Sequence, residues 1–134
     1  MLGTFVLSSG YFDAYYNKAL MLREKIKNDY LDALRDVDAI FAPTTAQPAT
    51  PIGYKKTSNA EKYCSDEFTI SANLAGIPAF AMPTGFTKDG LPTSAQLIGK
   101  HDDESLLLNL AHQYQQNTIW HTMQPSISLE AENE

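Results

Sequence analysis

A layered α/β fold, with helices covering a sheet, is the fold class this sequence predicts, and three observations predict it. First, residues 63–99 read as helix, strand, turn and strand: a polar-start amphipathic segment over 65–75, a break at Gly76, the apolar run 77–82, then Pro-Thr-Gly and Asp-Gly before the apolar run 95–98. Second, Ala and Gly sit where a helix must lie close to a sheet, and both apolar runs lack polar alternation, the pattern of strands covered on both faces. Third, apolar and aromatic positions recur at Phe12, Tyr15, Tyr16, Ala19, Leu22, Ile26, Tyr30, Ala33 and Leu34, the 3.6-residue period of a helix over 11–35.

Taken in order, residues 2–9 hold a short apolar segment that ends at Ser8-Ser9-Gly10. The helix over 11–35 would be roughly 37 Å long at about 1.5 Å per residue, too long for the rest of the chain to bury. Asp36 and Asp38 bracket the entry to a strand over 37–42, which Pro43 terminates. Residues 44–54, rich in Pro and Gly breaks, form a structured loop, and 55–60 are polar; loops after strands are where α/β enzymes place substrate contacts. After residues 63–99, Asp102, Asp103 and Glu104 open a last helix whose acidic start complements the macrodipole and whose stripe is Leu106, Leu107, Leu110, Ala111 and Tyr114. Residues 1–125 make part of one domain, and 126–134, with Glu130, Glu132 and Glu134, are expected to form a disordered tail.

Ten Lys plus Arg against sixteen Asp plus Glu give a net charge of −6. Such a surface repels phosphate backbones, which argues against this portion holding a nucleic acid directly. Lys18, Arg23, Lys25 and Lys27 share the long helix with Asp13, Glu24 and Asp29, and a salt-bridged solvent face is the expectation. Cys64 is the only cysteine, so there is no intramolecular disulfide and no four-cysteine metal site, and a reducing cytoplasm fits. No run approaches the roughly 18 apolar residues of a membrane span, and the first residues lack a basic signal-peptide start, so no membrane association is expected.

Among candidates for chemistry, Ser9 has no His or Lys within seven positions, and a nucleophilic Ser needs an adjacent base. A helix N-cap is its better reading. His101, His112 and His121 are too irregularly placed to bind a metal from one helix face, and no nucleophile elbow accompanies them. Asp66 differs. It follows Tyr63 by three residues, so the two share a face, and Phe68, Ile70, Ala72 and Leu74 nearby are apolar. A carboxylate facing inward there needs a partner, and an ammonium group is the natural one. The structural alternative is an Asp favoured by the helix dipole alone.

The segments NLAGIPAFAMPTGF and DGLPTSAQLIGK, read with LGTFVLSSGYFDAYYNKALMLREKIKNDY and VDAIFAPTTAQPA, resemble the C-terminal part of the amidase signature family over roughly residues 1–120. Within it they are most similar to the glutamine-hydrolysing A subunits of the aspartyl/glutamyl-tRNA amidotransferases. The resemblance implies a partial α/β/α layered fold, a mixed sheet with covering helices. It implies that the Lys and two Ser of the catalytic machinery lie outside this stretch, leaving this chain without a catalytic residue or metal site. It places Asp66, in a YxxD pattern, at the α-amino group of substrate glutamine. Implied partners are B and C subunits, with tRNA met only through the complex; ATP and magnesium belong to the partner's step, and the compartment is the cytoplasm or an organellar matrix. Where the family usually has GLPVGLQ, this chain has Ser94 for a Gly and Ala95 for a large aliphatic. A stand-alone amidase fragment and a non-catalytic truncated product or binding module are the rival readings.

Overall fold

The computed structural model describes residues 15–54 and 66–124. After a π-helical turn at Tyr15 and Tyr16, the chain forms α1 (Asn17–Ala33), β1 (Ile40–Pro43), α2 (Glu67–Ala75), β2 (Ala79–Phe86), β3 (Pro92–Ile98), α3 (Glu104–Gln116) and a 3₁₀ turn over Trp120–Thr122. The expected α/β class is what the chain adopts. Ser8–Gly10, Tyr63, Cys64, the polar segment 55–60 and the tail 126–134 lie outside the described residues.

The sheet runs in the order β1-β3-β2. Both pairings are antiparallel, with Ile40 and Ala79 flanking Ile98, and Ala42 and Ala81 flanking Gln96. Because side chains alternate across a strand, Ile40, Ile98 and Gln96 share one face while Phe80, Met82, Ala95 and Leu97 share the other. On the first face Ile98 joins Leu34, Ala72, Ala75 and Ile77, with Ile26, Tyr30 and Ile40 packed against them. On the second, Met82 and Leu97 join Leu107 and Ala111 of α3. The described residues thus form three layers, with two small cores separated by the sheet.

Several boundaries differ from the sequence expectation, for identifiable reasons. The strand expected over 77–82 starts later and continues through Pro83, Thr84 and Gly85 to Phe86, with a bulge between Pro83 and Gly85. Proline is tolerated because β2 is an edge strand here, and Gly85, at φ 144°, takes the backbone of the bulge. Only β3 is covered on both faces over residues 95–98; β2 alternates, leaving Ala79 and Ala81 exposed. The two helical layers are offset: α2 lies over β1 and β3, α3 over β2 and β3. Among the described residues, each edge strand is therefore left uncovered by a helix on one side.

The long amphipathic helix is buried less than its periodicity suggests. Tyr15, Ala19 and Leu22 are exposed, no residue of α1 is buried, and contact with the core is made by Ile26, Tyr30 and the C-cap Leu34. At about 1.5 Å per residue, α1 runs roughly 25 Å against about 14 Å for α2, so its N-terminal half extends past α2 among the described residues. The last helix meets its expectation: Leu107 and Ala111 are buried, and Leu106, Leu110 and Tyr114 are half-buried.

Candidate functional site

The chemistry-bearing residues gather at one end of the sheet, where the carboxyl end of β1 meets the first turn of α2. Gln96 holds the two together. It is the one buried polar residue among those described, only 3% exposed. Its Nε2 donates to the Pro43 carbonyl at 3.0 Å and to the Phe68 carbonyl at 2.8 Å. The next residue of β1's exit, Thr44, donates its backbone N–H to the Ser94 carbonyl at 3.2 Å. The Thr44 hydroxyl is buried with no hydrogen-bond partner among the described residues. On the adjoining hairpin the hydroxyls of Thr84 and Thr93 face each other at 3.3 Å.

Asp66 is the N-cap residue of α2. Its carbonyl accepts from the N–H groups of Thr69 and Ile70, at 3.1 and 3.0 Å, and from the Thr69 hydroxyl at 3.2 Å. Its side chain makes no capping hydrogen bond to its own helix. The sequence led us to expect an inward-facing carboxylate among apolar side chains. In the structure Asp66 is exposed, and so are Ile70 and Leu74 of that expected apolar set. The reason is positional: a residue at the cap stands ahead of the first packed turn, so the helix contacts the sheet from Phe68 onward without covering Asp66.

The other sequence candidates do not assemble into a second centre. His101 is exposed, with its Nδ1 3.1 Å from Asp102; His112 and His121 are exposed on α3 and the 3₁₀ turn. Among the described residues no three His, Cys, Asp or Glu side chains come together as a metal site, and no helix is long and apolar enough to cross a membrane. The expected salt-bridged face of α1 is not formed: among the described residues the Lys/Arg–carboxylate ion pair is Arg35 with Asp32. Exposed pairs contribute about 0–1 kcal/mol once the side-chain entropy of holding them is counted, too little to hold Lys18, Lys25 or Lys27. Arg23 instead donates its Nε to the Leu74 carbonyl at 2.7 Å, satisfying the C-terminal end of α2. An open groove of about 580 Å³, lined by Leu20, Met21, Arg23, Lys27, Gly76 and His101, lies at that end. Asp66 is at the opposite end of α2.

The departures at Ser94 and Ala95 have a structural setting. Ala95 is 5% exposed and sits beside its register partner Met82 on the same face of the sheet, itself 3% exposed and packed with Leu107 and Ala111. A flexible Met can occupy volume that a larger residue at 95 would take. Sequence reasoning missed Gln96 and Thr44. The available signal for Gln96 was a lone amide inside the apolar run Ala95-Gln96-Leu97-Ile98.

Residues 1–108 match the amidase family. The chain is 51% identical over 126 residues to the A subunit of glutamyl-tRNA(Gln) amidotransferase from Pseudomonas putida F1, covering 94% of this chain and 26% of that protein. It is 52% identical over the same length to the corresponding protein of Pseudomonas entomophila. The crystal structure of the Thermotoga maritima A subunit of glutamyl-tRNA(Gln) amidotransferase superposes with a TM-score of 0.76 at 38% identity, over 93% of this chain and 28% of that one. A 6-aminohexanoate cyclic dimer hydrolase shares the fold at 24% identity and a TM-score of 0.71, over 89% of this chain and 26% of its own. The chain thus spans about a quarter of the length of these relatives.

Proposed function

The chain belongs to the amidase family, and on that premise we propose that it is the C-terminal quarter of the glutamine-hydrolysing A subunit of a tRNA-dependent amidotransferase. The observation that carries this reading is the 51% identity over 126 residues to such a protein. In this reading the complete subunit cleaves the side-chain amide of glutamine through an acyl-enzyme on a serine. The two serines and the lysine for that step are supplied by the part of the subunit this chain does not span. The ammonia passes to a B subunit, which uses ATP and magnesium to amidate Glu-tRNA(Gln) or Asp-tRNA(Asn), and a small C subunit wraps the pair. The assembly works in the cytoplasm or an organellar matrix and meets tRNA through its partners, in keeping with the net charge of −6 of this portion.

This chain contributes the sheet end and one wall of the glutamine pocket. Asp66, at the start of α2 and not engaged in capping that helix, receives the α-ammonium group of glutamine. The remainder of the subunit closes over it and dries the pocket. A charge-assisted hydrogen bond contributes about 1.5–3 kcal/mol, whereas a merely dipole-favoured Asp contributes about 0.3–1 kcal/mol to stability and nothing to binding.

The test is a chimera in which this chain replaces the matching stretch of the Pseudomonas putida protein, produced with its partner subunits. The chimera should release ammonia from glutamine, while the 134-residue chain alone releases none. Asp66→Asn should raise the KM for glutamine roughly ten- to a hundredfold and spare amidation driven by added ammonia, which bypasses the pocket. A folded chimera without glutaminase activity would sink the assignment. An Asp66→Asn chimera with unchanged KM would end the ligand role alone.

A further inference from the structure

The geometry points to Gln96 as the positioning residue that fixes Asp66 in place and so sets the preference for an amino-acid amide over a simple amide. The inference rests on the reading of Asp66 as the ammonium acceptor. Gln96 lies in the central strand and is 3% exposed, yet the two hydrogen bonds that its amide donates both leave the strand. One goes to Pro43 at the end of β1, at 3.0 Å, the other to Phe68 in the first turn of α2, at 2.8 Å. A primary amide has two N–H donors, and here each has a carbonyl acceptor. The orientation is forced, since turning the amide would set its oxygen against two carbonyl oxygens.

Phe68 is two residues from Asp66, less than one helical turn. The bonds that α1 makes to α2 lie further along the helix, at Ser71 and Leu74, and the Asp66 side chain does not cap the helix start. Among the described residues, Gln96 is thus a polar contact that ties the first turn to the sheet. Without it α2 keeps its apolar packing through Ala72 and Ala75 but its first turn, and the carboxylate on it, lose their fixed distance from β1. Binding groups must be held closely to work, so the loss falls on the α-ammonium contact. An amide lacking that group is indifferent to it.

The experiment compares glutamine with its des-amino analogue, glutaramate, in the chimeric holoenzyme. Gln96→Met keeps the volume and removes both donors. The expected result is a fall of about tenfold in the ratio of kcat/KM for glutamine to that for glutaramate, about 1.4 kcal/mol by the usual conversion. In an Asp66→Asn background the same substitution should leave that ratio where Asp66→Asn alone puts it, the signature of two residues acting as one unit. A purely structural Gln96 would lower both substrates alike and leave the ratio intact, which overturns the inference. If Gln96→Met does not fold, Gln96→Asn, one methylene too short to span both carbonyls, is read in the same way. If Asp66→Asn itself leaves the ratio unchanged, the Asp66 reading fails and takes this inference with it. A ratio that responds to Asp66→Asn but not to either Gln96 variant rejects the positioning role alone.

Discussion

Two glycines illustrate how single residues hold this fold, and they do so by different physics. Gly76 ends α2 in the left-handed conformation, φ 70°, with its N–H bonded to the Ala72 carbonyl at 3.0 Å. A Cβ there would meet nothing closer than an Arg23 guanidinium nitrogen at 3.7 Å, an ordinary contact. The cost of Gly76→Ala is therefore backbone strain, about 1–2 kcal/mol. Gly99 has the reverse problem: a Cβ would come within 3.0 Å of a Leu107 methyl carbon, in a core position 2% exposed. Gly99→Ala should cost about 1–3 kcal/mol through overpacking. Asn substitution separates the causes, because Asn tolerates the left-handed region but is larger than Ala. Urea midpoints should show Gly76→Asn milder than Gly76→Ala, and Gly99→Asn harsher than Gly99→Ala. The same order at both sites would refute the distinction.

At the scale of elements, α1 and α2 meet through three rungs of different strength. Arg23 reaches the Leu74 carbonyl, the Tyr30 hydroxyl lies 2.7 Å from that of Ser71, and Leu34, fully buried, closes the core against Ala72 and Ala75. Leu34→Ala should destabilise by about 2–5 kcal/mol and Tyr30→Phe by about 0.5–1.5 kcal/mol. Arg23→Met, losing an exposed contact, should fall below both. Equilibrium unfolding of the three variants checks the ranking, and a Tyr30→Phe loss exceeding that of Leu34→Ala would show that polar contacts dominate this junction. Hydrogen exchange should be fastest toward the N-terminal end of α1, which lies beyond the reach of α2.

For the whole molecule, the offset of the two helical layers leaves apolar surface on both sides of a three-stranded sheet. Phe41 is 62% exposed on the α3 side of the sheet, on the edge strand that α3 does not cover, and Met21 and Leu22 are 73% and 55% exposed on α1. Among the described residues both β1 and β2 are sheet edges. Unpaired edges and exposed apolar patches favour association. The 134-residue chain should accordingly sediment as concentration-dependent oligomers, and Phe41→Lys with Met21→Glu should shift it toward monomer. A compact monomer at all concentrations with a sharp cooperative melt would contradict this.

The sequence by itself determined what local rules govern. The α/β class follows from switching periodicities, α3 from its stripe at Leu107 and Ala111, and the break at Gly76 from the one residue type that adopts φ 70° readily. The family resemblance was legible in NLAGIPAFAMPTGF and DGLPTSAQLIGK for the same reason, since it lives in contiguous text. The tertiary structure decided what depends on who covers whom. Periodicity marks Tyr15 and Leu22 as apolar positions but cannot know that α2 ends too soon to cover them. Pro83 reads as a strand breaker until pairing makes β2 an edge. Asp66 reads as inward-facing until the helix start places it at the exposed cap. Gln96 looks like one polar letter in an apolar run, and its role emerges only when the fold brings Pro43, 53 positions away, and Phe68, 28 positions away, to the two hydrogens of its amide. Burial and hydrogen-bond partnership are relations between distant segments, and no window of sequence contains them.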